Sequence, residues 1–224
     1  MNREMLWDFL FPLLLLLSLS MIFWFTNVDI ELQKLFYLPG TGWYLVNNNP
    51  WAFLLKYGTL PAILLVISAF LVLICGFFLD KVKKYRKIAL FLIVYMILGP
   101  GLIVNTVFKE HWGRPRPKNI VEFGGQKQHL PLWKKGSSAE DKSFPSGDAA
   151  MGFFLLSPFF FLRKKAKKWA IFFLTLGISY GTIMGLTRMV RGKHFASDVL
   201  WSAGFIYLTG ITLYYIFRFN KEVR

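Results

Sequence analysis

The chain has 224 residues, 55% of them hydrophobic, with 24 phenylalanines and a mean hydropathy of +0.45. One soluble core of this size cannot hold that much apolar surface, which excludes a water-soluble globular domain and points to membrane spans. The net charge of +15 lies in loops between apolar stretches, which excludes a nucleic-acid-binding face. The single Cys75 sits in mid-span and excludes disulfides and cysteine metal sites.

A span takes about 20 mostly apolar residues to cross about 30 Å of hydrocarbon. Six stretches are predicted, from Phe9 to Phe25, Thr59 to Leu79, Ile88 to Phe108, Gly147 to Leu162, Trp169 to Leu186 and Ala196 to Phe217. Glu4 and Asp8 precede the first, and no small-residue cleavage site follows it, so it reads as a retained helix and not a signal peptide. The segment from Asn27 to Gly58 carries Trp43, Trp51, Phe53 and Tyr57 among polar residues and reads as an interfacial, aromatic-anchored loop.

The fourth stretch is short and contains Pro158, but the strongly basic run after it suits a membrane boundary. The loop from Lys118 to Lys142 reads as a mobile, solvated basic segment. With no internal repeat or low-complexity linker, residues 1–224 form one domain, and the fold class is an all-α, six-helix membrane bundle. The short loops DKVKKYRK and RKKAKK each hold five Lys or Arg, whereas basic residues on the other side are spread over longer loops. The positive-inside rule then puts both termini in the cytoplasm.

Spans three to six form two hairpins, so four of their ends share one face. The third ends in Lys109-Glu110-His111-Trp112-Gly113-Arg114-Pro115-Arg116-Pro117, and the fourth opens with Ser143-Phe144-Pro145-Ser146-Gly147-Asp148. The fifth ends in Thr187-Arg188-Met189-Val190-Arg191-Gly192-Lys193, and the sixth opens with His194-Phe195-Ala196-Ser197-Asp198. Lys109, Arg116 and Arg188 are fixed cations suited to phosphate oxygens. Pro115 and Pro117 stiffen the loop that holds Arg114 and Arg116. Ser146 and Gly147 open a helix, where free backbone N–H groups favour an anion. His194 and Asp198, four residues apart, share a helix face, so the carboxylate can fix the imidazole tautomer and leave the other nitrogen as nucleophile or base. Taken singly, each cation reads as a span-end anchor and His194 as a structural histidine. Asp198 at a span start is costly unless paired, and together the four segments point to one phosphate-handling site.

These residues resemble the phosphatidic acid phosphatase type 2 superfamily. Its three motifs are met by Lys109, Arg116 and Pro117, by Pro145, Ser146 and Gly147, and by Arg188, His194 and Asp198. The resemblance implies His194 as nucleophile through a phosphohistidine, Asp198 as its partner, and Lys109, Arg116, Arg188, Ser146 and Gly147 as phosphate ligands. It implies no metal, no cofactor and no obligate protein partner; the partner is a lipid in the bilayer. Thr187 replaces the motif's serine. Asp148 replaces the histidine that acts as general acid, which leaves three routes to the leaving group. Asp148 acts when part-buried, His111 substitutes, or the leaving oxygen is weakly basic, as in an anomeric phosphate or a phosphoanhydride.

Gly99-Pro100-Gly101, the run from His111 to Pro117 and Gly147-Asp148-Ala149 are similar to the bacterial lipid A phosphatase branch. That branch implies an enzyme of the bacterial inner membrane with its active site at the periplasmic face, removing the 1-phosphate (favoured) or the 4′-phosphate. Phosphatidylglycerol phosphate and polyprenyl diphosphate are alternative substrates. An anion transporter or an inactive lipid-binding protein are the competing classes, the first disfavoured by the boundary position of the polar residues.

Overall fold

The structure, a computed structural model, describes residues 3–221. Its long helices are α1 (Arg3–Phe25), α3 (Trp51–Phe78), α4 (Arg86–His111), α6 (Lys167–Met189) and α7 (Ala196–Ile216), each long and apolar enough to cross a membrane. A short α2 (Val28–Lys34) follows α1, and the 16-residue α5 (Gly147–Leu162) lies between α4 and α6. Among the described residues there is no β-strand, only isolated bridges between Leu38 and Gly42 and between Ile120 and Lys127.

The shortness of α5 has a packing reason. A 3₁₀ turn at Phe154–Leu156 interrupts it just ahead of Pro158, which has no N–H to give the helix ladder. The helix is enclosed by α4, α6 and α7 and buries Gly147, Ala149, Ala150, Gly152, Phe153, Phe154 and Phe160. Its contact with α6 depends on glycines: a Cβ on Gly177 would lie 2.3 Å from the Leu156 nitrogen, and one on Gly152 2.8 Å from the Gly181 Cα. Small residues let membrane helices approach where no hydrophobic drive exists between them.

The second half of α4 departs from α-geometry. From Ile97 to Phe108 it is wound as a π-helix around Pro100, and the side chains of Asn105 and Thr106 donate five residues back, to Pro100 O at 2.8 Å and Gly101 O at 3.1 Å. Wide turns of this kind are rare and cluster at functional sites. Here the wide turns carry Asn105 to 3.3 Å from Lys109 Nζ. At the opposite end of the bundle, Asp8 joins Arg163 at 2.6 Å and Tyr215 Oη at 2.5 Å, tying α1 to the α5–α6 turn and α7.

Two segments are more structured than expected. Residues 27–58 contain α2 and the first two turns of α3, which begins at Trp51 and not at Thr59. Phe53 and Tyr57 are exposed, as anchors would be, but Trp43 packs with Tyr37 and Phe123. The loop after Arg116 is folded onto the bundle, with Ile120, Phe123 and Leu132 buried and Lys127 paired to Asp141 at 2.7 Å. Its buried apolar residues, one pair three positions apart and the third nine further on, sustain no helical or strand period that could have announced this.

Candidate active site

The ends of α4 and α6 and the starts of α5 and α7 converge as the hairpin order requires. Ser146 caps α5, its Oγ accepting from the Ala149 N–H at 3.4 Å. Its backbone N–H donates to Ser202 Oγ at 2.9 Å, and Ser202 Oγ in turn donates to the Asp198 carbonyl at 2.8 Å, fixing the start of α5 to the start of α7. Gly147 follows at the closest approach to α4. A Cβ there would stand 2.5 Å from Asn105 Oδ1 and 3.1 Å from Lys109 Nζ, so any larger residue would have to push these side-chain ends away from the start of α5.

Around that point stand Lys109, Arg116 and Arg188. The Nε atoms of Arg116 and Arg188 are buried without a hydrogen-bond partner among the described residues, an arrangement an anion would satisfy. Arg188 Nε also lies 3.1 Å from Asp148 Oδ2, on the first turn of α5. Lys193, which follows α6, is held by its backbone N–H to the Arg188 carbonyl at 3.0 Å. Burial, and then Lys118 and Arg116 nearby, lower its pKa to about 8. Thr187 takes no part here, because its hydroxyl donates back to the Ile183 carbonyl at 2.9 Å.

His194 is 2% exposed. Its Nδ1 lies 2.5 Å from the Ser143 carbonyl, which can only accept, so the proton is on Nδ1 and Nε2 carries the lone pair. The hydrogen bond expected to Asp198 is not the one made: Asp198 Oδ2 is 3.8 Å from Nδ1, an ion-pair distance. Asp198 spends its oxygens on Arg114 Nη1 at 2.5 Å, Ser143 Oγ at 2.6 Å and the Phe195 N–H at 2.8 Å. Burial lowers the pKa of His194, as do Lys109 and Arg188, against the pull of Asp198, so the imidazole is neutral near pH 7. His111 stands apart from this group, exposed, with Nδ1 2.9 Å from the Val107 carbonyl of its own helix.

The structure also gathers residues whose part no motif spacing indicated. Arg114 is fully buried over the Phe195 ring and bridges Asp198 to Asp29 of α2, the latter at 2.8 Å. Burial works against its charge, but Asp198 and Asp29 outweigh it and raise its pKa. Gln33, also on α2, donates to the His194 carbonyl. Asp29 and Gln33 lie four apart on a short amphipathic stretch, the one hint of a shared face.

The family model for the PAP2 superfamily matches residues 88–222, the stretch from α4 to beyond α7. The chain is 36% identical over 201 residues to the lipid A 4′-phosphatase of Francisella tularensis subsp. novicida (strain U112), covering 88% of this chain and 90% of that protein. Shorter matches are to the lipid A 4′-phosphatases of Rhizobium leguminosarum, 36% identical over 47% of this chain and 44% of that protein, and Rhizobium etli, 35% identical over 46% and 40%. No solved structure matches the chain significantly. Four helix ends and the loops beside them thus carry the superfamily's motifs to a single point, and the chain belongs to the PAP2 superfamily of phosphatases.

Proposed function

We propose that this protein hydrolyses the 4′-phosphate of lipid A through a phosphohistidine intermediate. His194 carries the reading: a buried, neutral imidazole with its proton fixed on Nδ1 and its Nε2 lone pair free, among the cations Lys109 and Arg188. In the first step Nε2 attacks phosphorus, the P–O ester bond breaks, and the sugar oxygen leaves with a proton from Asp148. In the second, water attacks phosphorus, the P–N bond breaks, and Asp148 takes the water proton. Lys109, Arg116, Arg188 and the α5 N–H groups at Gly147 neutralise charge on the three equatorial oxygens. These side chains supply the positive charge a metal would bring, so the reaction is metal-independent.

The 4′-position is preferred to the 1-position because all three named relatives carry 4′ in their names. A weakly basic anomeric leaving group is then unavailable, and a proton donor is required; this favours Asp148 over His111. A lipid substrate is supported by an apolar groove of about 500 Å³ along the π-helical part of α4, lined by Ile97, Pro100, Gly101 and Met151 and ending at Asn105, next to Lys109. The site faces the periplasm from a bacterial inner membrane, with six crossings counting α5 and both termini in the cytoplasm, in keeping with the charge density of the short loops.

Mass spectrometry of lipid A incubated with the purified protein tests this. Loss of one phosphate at the 4′-position is expected, and none with His194→Ala. Release from the 1-position alone would overturn the positional assignment, and continued turnover in His194→Ala would overturn the nucleophile.

A further inference from the structure

Asp29 lies in α2, outside the residues 88–222 that match the family model, yet it is 2% exposed and wired into the site. Its Oδ1 accepts from the Ser197 N–H at 3.0 Å, so it caps α7 from another helix. Its Oδ2 accepts from Arg114 Nη2 at 2.8 Å and from the Ser197 hydroxyl. Arg114 Nη1 reaches Asp198 at 2.5 Å, and Asp198 lies 3.8 Å from His194 Nδ1. Asp29, Arg114, Asp198 and His194 therefore form a line of alternating charge once the imidazole becomes a cation.

The alternation has a consequence for the reaction assigned above. Attack on phosphorus turns His194 into an N-phosphorylated imidazolium, and the carboxylate that must balance it is Asp198. Asp198 is already bound to a buried guanidinium, which alone would cancel its charge where little solvent screens it. A second carboxylate on the far side of Arg114 restores one net negative charge to the group.

We propose that Asp29 is a positioning residue of this phosphatase: by sharing Arg114 with Asp198, it leaves Asp198 the negative charge that stabilises the His194 imidazolium. The inference rests on the phosphohistidine mechanism. The charged groups facing His194 are Asp198 from α7, Lys109 from α4 and Arg188 from α6, with Arg114 and then Asp29 behind Asp198. His129, edge-on to Phe195, is the other titratable group against this knot.

The test is the pH dependence of phosphate release from lipid A by the full chain in detergent, comparing wild type, Asp29→Asn, and Asp29→Asn combined with Arg114→Gln. In Asp29→Asn the cation on Arg114 falls wholly on Asp198. We expect kcat to drop about tenfold or more with KM nearly unchanged, and the acid limb to move down by about half a pH unit. In the double variant Asp198 faces His194 unshared, and the limb moves above that of wild type. Opposite movements are not expected of a residue that only holds α2 in place. An acid limb at the wild-type position in both variants overturns the proposal, whatever the loss in rate. If Asp29→Asn fails to accumulate because it strands a buried guanidinium, the double variant decides: an upward limb supports the proposal and an unmoved one overturns it. Absence of turnover in wild type would instead overturn the assigned reaction.

Discussion

Lys193 and Asp148 are the residues at which this site departs most from a bare set of motifs. Lys193 adjoins His194 in the chain and is held near pKa 8 by burial and by Lys118 and Arg116. It is a cation below pH 8 and loses that charge above, so affinity for an anionic head group should weaken as pH rises through 8. KM measured from pH 7 to 9.5 is expected to climb in wild type and to stay flat in Lys193→Arg, whose guanidinium keeps its charge. For Asp148, leaving-group basicity makes the test. Asp148→Asn should lower kcat on lipid A about 100-fold, within the range of general-acid catalysis, but leave the first-turnover burst of p-nitrophenolate from p-nitrophenyl phosphate within about threefold in rate, because that phenolate leaves without a proton and the base role of Asp148 falls in the later step. Equal losses on both substrates would make Asp148 a partner of Arg188 and no proton donor. The motif residues Lys109, Arg116, Ser146, Gly147, Arg188, His194 and Asp198 could be picked from the sequence because each sits at a span end with fixed spacing. The hydrogen bond from His194 to Ser143 could not, because it joins a ring to a backbone carbonyl 51 residues away.

The helices show which features follow from local pattern and which from contact. Long apolar runs specify α1, α3, α4, α6 and α7, since only hydrogen-bonded helices satisfy a backbone in hydrocarbon. The π-helix in α4 was hinted at by Gly99-Pro100-Gly101, but a glycine-proline pair marks only a break and not the kind of turn that mends it. The glycines of α6 acquire meaning only against α5. Gly177→Ala places a methyl 2.3 Å from backbone of α5 that cannot rotate away. We expect it to lower the thermal midpoint of the detergent-solubilised protein by several degrees, on the scale of about 1–3 kcal/mol for an overpacked contact. Gly101→Ala is the comparison, because the nearest atom there lies at an ordinary 3.4 Å and the midpoint should hardly move.

Across the whole molecule the two ends of the bundle do different work. One end gathers Lys109, Arg116, Arg188 and Lys193; the other holds the short basic loops, where Arg163 and Lys164 pair with Asp8 and Glu4 of α1. If the short-loop charges orient the chain, membrane-impermeant thiol labelling of intact spheroplasts should reach a cysteine placed at Gln126 and should not reach one placed at Lys165, in a background lacking Cys75. The reverse pattern would put the site on the cytoplasmic face. Helical class, the apolar spans and the choice of motif residues followed from composition, run length and motif spacing, each a property of residues near one another in the chain. The tertiary structure alone decided that Arg114 is a buried bridge between two carboxylates, that Asp29 of α2 is one of them, and that the 118–142 segment packs. Those depend on which distant carboxylate meets which buried cation, and a buried charge is tolerated only where folding delivers its partner.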